Sequence, residues 1–171
     1  MATASTVPAW TAAARPPLET ARLVIAPLAE ADAPALAAVT DAPDILARLH
    51  FLPAPFDVAA ARALIASDPG FNGIRRRRDG VLVGMIGTHF GADGVEIGYW
   101  IGAGHRRQGY AREAVRAVIA VLGDQPAFAE CARDNAASWR LLESCGFRPT
   151  GRAGRRPGRD LLSRRAPKAC G

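Results

Sequence analysis

Residues 95–122 constrain the fold most, because they read as a strand, a basic glycine-containing loop and a helix in direct succession. The first part is an apolar, β-prone run, and the last part carries apolar residues at helical spacing. A helix that begins after such a loop exposes unpaired backbone N–H groups and the positive end of its dipole. Gly109 and Ala111 leave room for an anion, and Arg106 and Arg107 add positive charge. The segment therefore predicts a phosphate or diphosphate site.

Two common phosphate-binding patterns do not fit this loop. A dinucleotide-binding fold needs Gly-x-Gly-x-x-Gly, but Arg107 stands where the third glycine belongs. The Gly-Lys-Ser/Thr sequence of a nucleotide-triphosphate loop is absent. The pattern that fits is Arg106-x-x-Gly109-x-Ala111. It resembles the Gln/Arg-x-x-Gly-x-Gly/Ala motif with which the GCN5-related N-acetyltransferases hold the pyrophosphate of acetyl-CoA.

The rest of the chain predicts one α/β domain over residues 18–165, between a flexible N-terminal tail (1–17) and a C-terminal tail (166–171). We expect a mixed, mostly antiparallel sheet of six to seven strands with helices on both faces. The strand that follows the helix of the loop should run parallel to the strand before it. The predicted strands cover residues 18–28, 71–78, 81–90, 95–101, 127–133, 147–152 and 159–165, and the predicted helices cover 32–40, 41–49, 57–67, 109–122 and 135–145.

Composition excludes some classes of function. No apolar run approaches the roughly 20 residues of a membrane helix, and no secretory signal precedes the domain. Cys131, Cys145 and Cys170 show no metal-type spacing, which suggests free thiols in a reducing cytoplasm. The net charge of +6 comes from residues 148–171, which hold eight basic residues and one acid. That region has no interleaved aromatic residues for stacking bases, so we expect a solvated basic surface rather than a nucleic-acid partner.

Three further stretches resemble one branch of the acetyltransferase family, the branch that acetylates ribosomal-protein N-termini at alanine or serine. They are Leu18–Leu23 (LETARL), Ile97–Ile101 (IGYWI) and the motif Asn135-x-x-Ser138 followed by Glu143-x-x-Gly146-Phe147. The resemblance covers roughly residues 18–152. It implies the family fold, in which the fourth and fifth predicted strands splay apart. It also implies acetyl transfer from acetyl-CoA, without a metal, to an amine that attacks directly in a ternary complex.

The resemblance also implies two catalytic residues. An amine must be neutral to attack, and Glu96 on the fourth predicted strand is the candidate base. A solvent-facing strand carboxylate is an equal alternative for Glu96. Ser138 is the candidate proton donor to the leaving sulfur, because Leu142 occupies the position where many relatives have a tyrosine. Alternation places Glu96, Gly98 and Trp100 on one face of their strand.

The candidate acetyl-CoA-binding residues come from the same resemblance. The backbone of Trp100 and Ile101 should pair with the pantetheine arm, and the loop at the helix start should hold the diphosphate. Asn135 should contact the coenzyme arm, although a helix cap is the alternative role. The full set is Trp100, Ile101, Arg106, Arg107, Gln108, Gly109, Tyr110, Ala111, Asn135 and Ser138.

Four functions stay open at this point. An N-acetyltransferase acting on a protein N-terminal α-amine is favoured, and acetylation of a small-molecule amine is the nearest alternative. A non-catalytic acyl-CoA-binding regulator would carry the same loop. A basic nucleic-acid-binding module would use the C-terminal arginines. The sequence gives no oligomeric state.

Overall fold

The computed structural model of the chain describes residues 10–11 and 14–165. These residues form eight strands: β1 (Leu18–Glu19), β2 (Leu23–Pro27), β3 (Phe71–Arg76), β4 (Leu82–Gly91), β5 (Gly94–Ile101), β6 (Ala127–Ala132), β7 (Arg148–Ala153) and β8 (Arg159–Arg164). They also form five α-helices: α1 (Ala33–Thr40), α2 (Pro43–Leu46), α3 (Val58–Ser67), α4 (Tyr110–Leu122) and α5 (Ala136–Ser144).

The strands make one sheet with the order β1-β2-β3-β4-β5-β6-β8-β7. Neighbouring strands run antiparallel except for β5 and β6, which are parallel. Helix α4 carries the chain across the sheet between these two strands, as a parallel connection requires. The predicted order of elements, the parallel pair and the terminal hairpin are therefore confirmed.

The sheet has eight strands, not six to seven, because the first predicted strand is divided in two. The break falls at Thr20–Arg22, where both ends of the segment are bound by Glu113 of α4. Its Oε1 accepts hydrogen bonds from Thr20 Oγ1 at 2.6 Å and from the backbone N of Arg22 at 3.0 Å. The chain reverses at this turn, because Thr20 N donates to Leu23 O at 2.9 Å and β1 pairs antiparallel with β2 as a hairpin.

Strands β5 and β6 separate after two paired positions. The register pairs Val95 with Ala127 and Glu96 with Phe128, and no later pair joins the two strands among the described residues. Beyond this point β5 stays paired with β4, and β6 stays paired with β8. The gap that opens between them is the splay predicted from the family resemblance.

Helices cover both faces of the sheet. On one face Val115 and Val118 of α4 pack with strand residues such as Ile97, and on the other face Leu36 of α1 packs with Met85. The exclusively apolar stripe of α4 explains why that helix docks on the sheet along its length. No helix of the described residues is long and apolar enough to cross a membrane.

Part of the predicted N-terminal tail packs on the domain. Trp10 is fully buried in the core on the α4 face, and its Nε1 donates to Pro16 O at 3.0 Å. Arg15 donates to the hydroxyl and the carbonyl of Thr88 on β4, each at 3.0 Å. These residues of the predicted tail thus contact the domain in the structure. Residues 1–9, 12–13 and 166–171 lie outside the described residues, and the exact domain limits stay a prediction.

Candidate active site

A cleft of about 1200 Å³ lies where β5 and β6 separate. It is lined by the ends of both strands, the loop before α4, the start of α5 and the region of α2. Ten of the predicted site residues line this cleft: Glu96, Trp100, Ile101, Arg106, Arg107, Gly109, Tyr110, Ala111, Asn135 and Ser138. Gln108 is exposed and is not part of the lining. The predictions from separate parts of the sequence therefore converge on one place.

The loop before α4 has the backbone conformation of an anion site. Arg107 and Gly109 have positive φ angles of 60° and 79°, and α4 begins at the next residue, Tyr110. Left-handed residues in such loops turn backbone N–H groups toward a common side, and the helix start adds its own unpaired N–H groups. A positive φ angle is uncommon for a residue other than glycine, so contacts around Arg107 must hold it in this conformation. The motif thus offers main-chain donors, in agreement with the predicted diphosphate site.

Arg22 fixes this loop from the side of β2. Its Nη1 donates to Gln108 O at 2.8 Å, and its Nη2 lies 2.6 Å from Glu113 Oε2. The guanidinium also lies over the ring of Tyr110, 5.0 Å from the centroid, in a cation–π contact. Sequence analysis placed Arg22 only within a family-like stretch and missed this role, because its partners are about 90 residues away.

The side chain of Arg106 is directed toward α2 rather than toward the backbone N–H groups of the loop before α4. Its Nε donates to Ile101 O at 3.1 Å, and its Nη1 forms a very short ion pair with Asp44. The hydrogen bond from Arg106 is the main reason why the pKa of the Asp44 carboxyl lies below its ordinary value. The guanidinium therefore closes the end of the cleft at α2 in this structure.

Ser138 and Tyr99 meet at the wall of the cleft opposite this loop. Tyr99 Oη lies 2.7 Å from Ser138 Oγ, and either hydroxyl can donate. Burial raises the pKa of Tyr99, so its phenol keeps its proton. Asn135 caps α5, since its side chain accepts from Ser138 N at 3.2 Å. Tyr99, which packs against the core on the α4 face, thus joins the polar group that surrounds Ser138.

The face of the sheet opposite α4 carries a shallow trough formed by three cross-strand pairs of β4 and β5. Met85 pairs with Trp100, Gly87 with Gly98, and His89 with Glu96. The middle pair has no side chains, and a Cβ added at Gly98 would meet no atom within 4 Å. The trough is thus apolar at one end, open in the middle and polar at the other end. The predicted alternation of β5, with Glu96, Gly98 and Trp100 on one face, is confirmed.

Glu96 is engaged by the loop between β7 and β8. Its Oε1 accepts from Arg156 Nη1 at 2.7 Å, and Arg155 Nη2 lies 3.8 Å from its Oε2. The same Nη1 of Arg156 also bonds Glu130 Oε2 at 3.0 Å. The side chain of Glu96 is only 14% exposed, so this carboxylate is held at the wall of the cleft. No local sequence pattern identifies Arg156 as its partner.

Glu130 anchors this loop from β6. Its carboxylate accepts from the backbone N of Arg155 at 2.7 Å and of Arg156 at 3.1 Å. Burial alone would raise the pKa of Glu130, but these hydrogen bonds and the Arg156 charge lower it overall. A Cβ at Gly154 would lie 2.9 Å from Glu130 Cδ, so only glycine fits at that position of the loop.

One arginine of this region has no acidic partner among the described residues. Arg159 donates to the backbone carbonyls of Glu130 and Arg48, and no carboxylate lies within ion-pair distance. Burial and then the nearby Arg156 charge lower its pKa. The cleft therefore carries an excess positive charge beside the trough. The described residues contain no group of three or more His, Cys, Asp or Glu side chains able to hold a metal ion.

Comparison with known proteins matches this geometry to a family. The family model described as "Acetyltransferase (GNAT) domain" matches residues 22–148. A putative GNAT-family acetyltransferase from Bordetella pertussis is 25% identical with a TM-score of 0.71, and the match covers 88% of this chain and 99% of that one. Comparison with curated protein sequences gives no significant match.

Two more distant structures are similar in fold. One is a ribosomal-protein-S5-alanine acetyltransferase from Vibrio fischeri, at 16% identity and a TM-score of 0.67, covering 91% of this chain and 99% of that one. The other is the microcin C7 self-immunity acetyltransferase MccE in complex with acetyl-CoA and AMP. It is 17% identical with a TM-score of 0.67, covering 85% of this chain and 93% of that one.

Proposed function

We propose, from the premise that this chain belongs to the GNAT family of acetyl-CoA-dependent N-acetyltransferases, that its acceptor is a protein N-terminal α-amine. The observation that carries the proposal is the trough of β4 and β5, which lies directly beside the gap between β5 and β6. A thioester placed in the gap and an amine placed in the trough would meet at the middle of β5. Family membership itself makes the chain an acetyl-transferring enzyme.

The coenzyme half of the site divides into a diphosphate end and a thioester end. The backbone N–H groups of residues 106–111 would hold the diphosphate, with the charge of Arg107 nearby. Past the separation point, the edge of β5 that faces the gap would pair with the pantetheine arm at Trp100 and Ile101, where Arg106 Nε bonds the Ile101 carbonyl in this structure. Asn135 holds the first turn of α5 in place, which keeps Ser138 beside the expected position of the sulfur.

The chemistry then follows from the placement of the polar groups. A neutral amine attacks the thioester carbonyl carbon, and a backbone N–H between Gly98 and Trp100 stabilises the oxyanion. The C–S bond breaks, and the thiolate takes a proton from Ser138, which Tyr99 supports by its hydrogen bond. Glu96 is proposed to bind the ammonium form of the acceptor and to assist its deprotonation.

Two observations favour a polypeptide acceptor. The cleft of about 1200 Å³ exceeds the 300–1000 Å³ of an ordinary small-molecule site, so it has room for a coenzyme and a chain end together. An α-amine has a pKa near 7.7–8.0, well below that of a lysine, and is more easily made neutral. The similarity in fold to a ribosomal-protein acetyltransferase points in the same direction.

A small-molecule amine is the second candidate, favoured by Arg159. A partly buried guanidinium without a carboxylate partner suits an acceptor that carries a phosphate or carboxylate group. The similar fold of MccE, whose structure contains AMP, is consistent with such a ligand. This alternative predicts that Arg159→Gln raises KM only for acidic acceptors.

Acetyl transfer to a panel of acceptors would test the proposed function. Purified protein with acetyl-CoA is given peptides with free alanine or serine N-termini, the same peptides with blocked N-termini, and acidic and neutral small amines. Thiol release and a mass increase of the acceptor are measured together. We expect turnover with the free N-termini and none with the blocked ones. Turnover confined to small amines would refute the proposed acceptor, and coenzyme binding without turnover would indicate an acyl-CoA-binding regulator.

The free cysteines support a cytoplasmic location, which we also propose. Cys131 and Cys145 are buried and form no disulfide with each other, and Cys170 lies outside the described residues. Unpaired thiols are typical of reducing compartments. Detection of the protein in a cell fraction other than the cytoplasm would contradict this location.

A further inference from the structure

The polar end of the trough contains a histidine fixed by a carboxylate. His89 Nδ1 lies 3.1 Å from Asp68 Oδ2, where Asp68 follows the last turn of α3. The other oxygen of Asp68 accepts from the backbone N of Gly70 at 2.6 Å. The carboxylate is therefore held by main chain on one side and presents its second oxygen to the imidazole.

The surroundings fix the orientation of the ring. Phe71 meets it edge to face, with ring centroids 5.3 Å apart. A Cβ at Gly70 would lie 2.8 Å from both Asp68 Oδ1 and His89 Nδ1, so the close approach of the pair depends on glycine there. No sequence pattern indicates this pair, because its two members come from different elements.

The second ring nitrogen of His89 lies over Gly87, since a Cβ added there would be 3.0 Å from His89 Nε2. Gly87 is buried beneath His89 and Phe71, whereas its cross-strand partner Gly98 is exposed. The room for an acceptor amine beside the gap therefore lies over Gly98, next to His89. The side chain of His89 is 35% exposed, so Nε2 is within reach of a ligand in the cleft.

Glu96, the cross-strand neighbour of His89, is already bound by Arg156. Its Oε1 already accepts a hydrogen bond from that guanidinium. An imidazole whose Nδ1 faces a carboxylate has its proton on that nitrogen and a lone pair on Nε2. The two groups thus have separate tasks, since Glu96 attracts the ammonium and the imidazole can receive its proton.

We propose that His89, oriented by Asp68, is the base that removes the proton from the acceptor ammonium, directly or through one water molecule. This inference rests on the proposed function. The ammonium gives one proton to His89 Nε2, which later passes it to solvent. The neutral nitrogen forms its bond to the acetyl carbon as the C–S bond breaks. The nitrogen loses its second proton to solvent, the thiolate takes the Ser138 proton, and solvent returns a proton to Ser138, so the products are an amide and a thiol.

The charges around His89 come from three elements. Asp68 lies at the end of α3, Glu96 lies across the strand pair on β5, and Arg15 of the N-terminal segment donates to Thr88 next to the histidine. Two of these groups are carboxylates and one is a guanidinium, so the decisive comparison exchanges His89 itself.

The first test is a matched pair of variants with one peptide acceptor at two pH values. Removal of a positioned base costs about 10²–10⁴-fold, so H89Q should lower kcat/KM at pH 7 by about 100-fold or more. At about pH 9.5 the α-amine is already neutral, and the loss should shrink to less than tenfold. H50Q is the control, because His50 is exposed and outside the cleft lining. A loss in H89Q that is equal at both pH values would overturn the proposal.

D68N tests the orientation without removing the imidazole. The amide can present N–H to His89 Nδ1, which moves the ring proton to Nε2 and removes the lone pair from the trough. We expect a fall in kcat/KM of about tenfold or more at pH 7 with unchanged affinity for acetyl-CoA. A rate equal to that of the unchanged protein would contradict the role of Asp68.

A measurement on the protein without acceptor separates this inference from the proposed function. Long-range ¹H–¹⁵N NMR of the histidine rings, with His89 assigned by its loss in H89Q, reports which nitrogen carries the proton. At pH 8 we expect the proton on Nδ1. A proton on Nε2 would overturn the inference even if the acetyltransferase activity is found. Absence of turnover with every amine, alongside a proton on Nδ1, would instead refute the proposed function.

Discussion

Gly98 determines how much room the acceptor has, because the trough is open only where this residue lacks a side chain. A Cβ built there would meet nothing within 4 Å, and the φ angle of Gly98 lies outside the left-handed range. An alanine is therefore compatible with the folded backbone. Its methyl group would project into the space beside the gap. The substitution should therefore weaken acceptor binding and leave the stability of the fold unchanged.

The change Gly98→Ala should raise KM for the acceptor by about tenfold with little change in Tm. Steady-state kinetics at saturating acetyl-CoA and thermal unfolding check the two parts. Gly104→Ala is the control, because a Cβ there also meets nothing and Gly104 is outside the cleft lining. An unchanged KM for G98A would show that the amine does not pass over Gly98.

The pair of hydroxyls at Tyr99 and Ser138 makes a second prediction at the level of single residues. If Tyr99 acts by orienting the Ser138 hydroxyl, then Y99F and S138A should each lower kcat by about tenfold. The double variant should be no worse than S138A alone, since both remove the same donor. Independent losses that add in free energy would contradict a shared role, as would an altered affinity for acetyl-CoA in Y99F.

Among the elements, the loop before α4 depends on a clamp from β2. Arg22 holds the carbonyl of Gln108 and the ring of Tyr110 on either side of left-handed Gly109. Without this clamp the loop would be less ordered before the coenzyme binds. Binding would then have to order the loop, and that cost would weaken the affinity.

Arg22→Ala should therefore weaken acetyl-CoA binding about fivefold, the equivalent of roughly 1 kcal/mol for one lost hydrogen bond. The kcat at saturating coenzyme should stay the same. Isothermal titration measures the affinity, and Arg62→Ala serves as the control, since Arg62 pairs with Glu30 on exposed surface. A fall in kcat without a change in affinity would contradict the clamp.

The loop between β7 and β8 is the other element that shapes the site, and Glu130 fastens it. Since the pKa of Glu130 is lower in the folded chain than in the unfolded chain, its stabilising effect is present at neutral pH. That effect is lost as the pH falls below the ordinary carboxyl range and through the folded value.

Glu130→Gln should lower the free energy of unfolding at pH 7 by about 2 kcal/mol, because charged hydrogen bonds are lost. Near pH 3 the difference between variant and unchanged protein should become small. Urea unfolding at both pH values measures it, with Glu143→Gln, an exposed glutamate, as the control. A difference that stays constant with pH would mean that the ionised form of Glu130 is not what fastens the loop.

For the molecule as a whole, local patterns predicted the elements well and their partners poorly. Alternation placed Glu96, Gly98 and Trp100 on one face, because the strand period alone decides that. The division of the first strand was missed, because Thr20–Arg22 forms a tight turn that lacks glycine and proline. The pairing of Glu96 with Arg156 and of His89 with Asp68 also depends on how distant segments meet, which no local pattern encodes.

The basic C-terminal region is another part of the chain whose tertiary contacts could not be predicted from local pattern. Composition suggested a solvated basic surface, and β7 is exposed along its length, but Arg156 is bound to Glu96 and Glu130. The charge of Arg156 is thus neutralised within the site. The region completes the acceptor side of the cleft, where sequence analysis had placed only strands.

A crystal structure of the complex with acetyl-CoA would show whether the loop before α4 and the gap between β5 and β6 hold the coenzyme. We expect the diphosphate to lie against the backbone N–H groups of residues 106–111. We expect the thioester to lie in the gap between β5 and β6, with its carbonyl carbon facing Gly98. A coenzyme bound elsewhere, or a pantetheine arm that runs outside a closed gap, would contradict this placement.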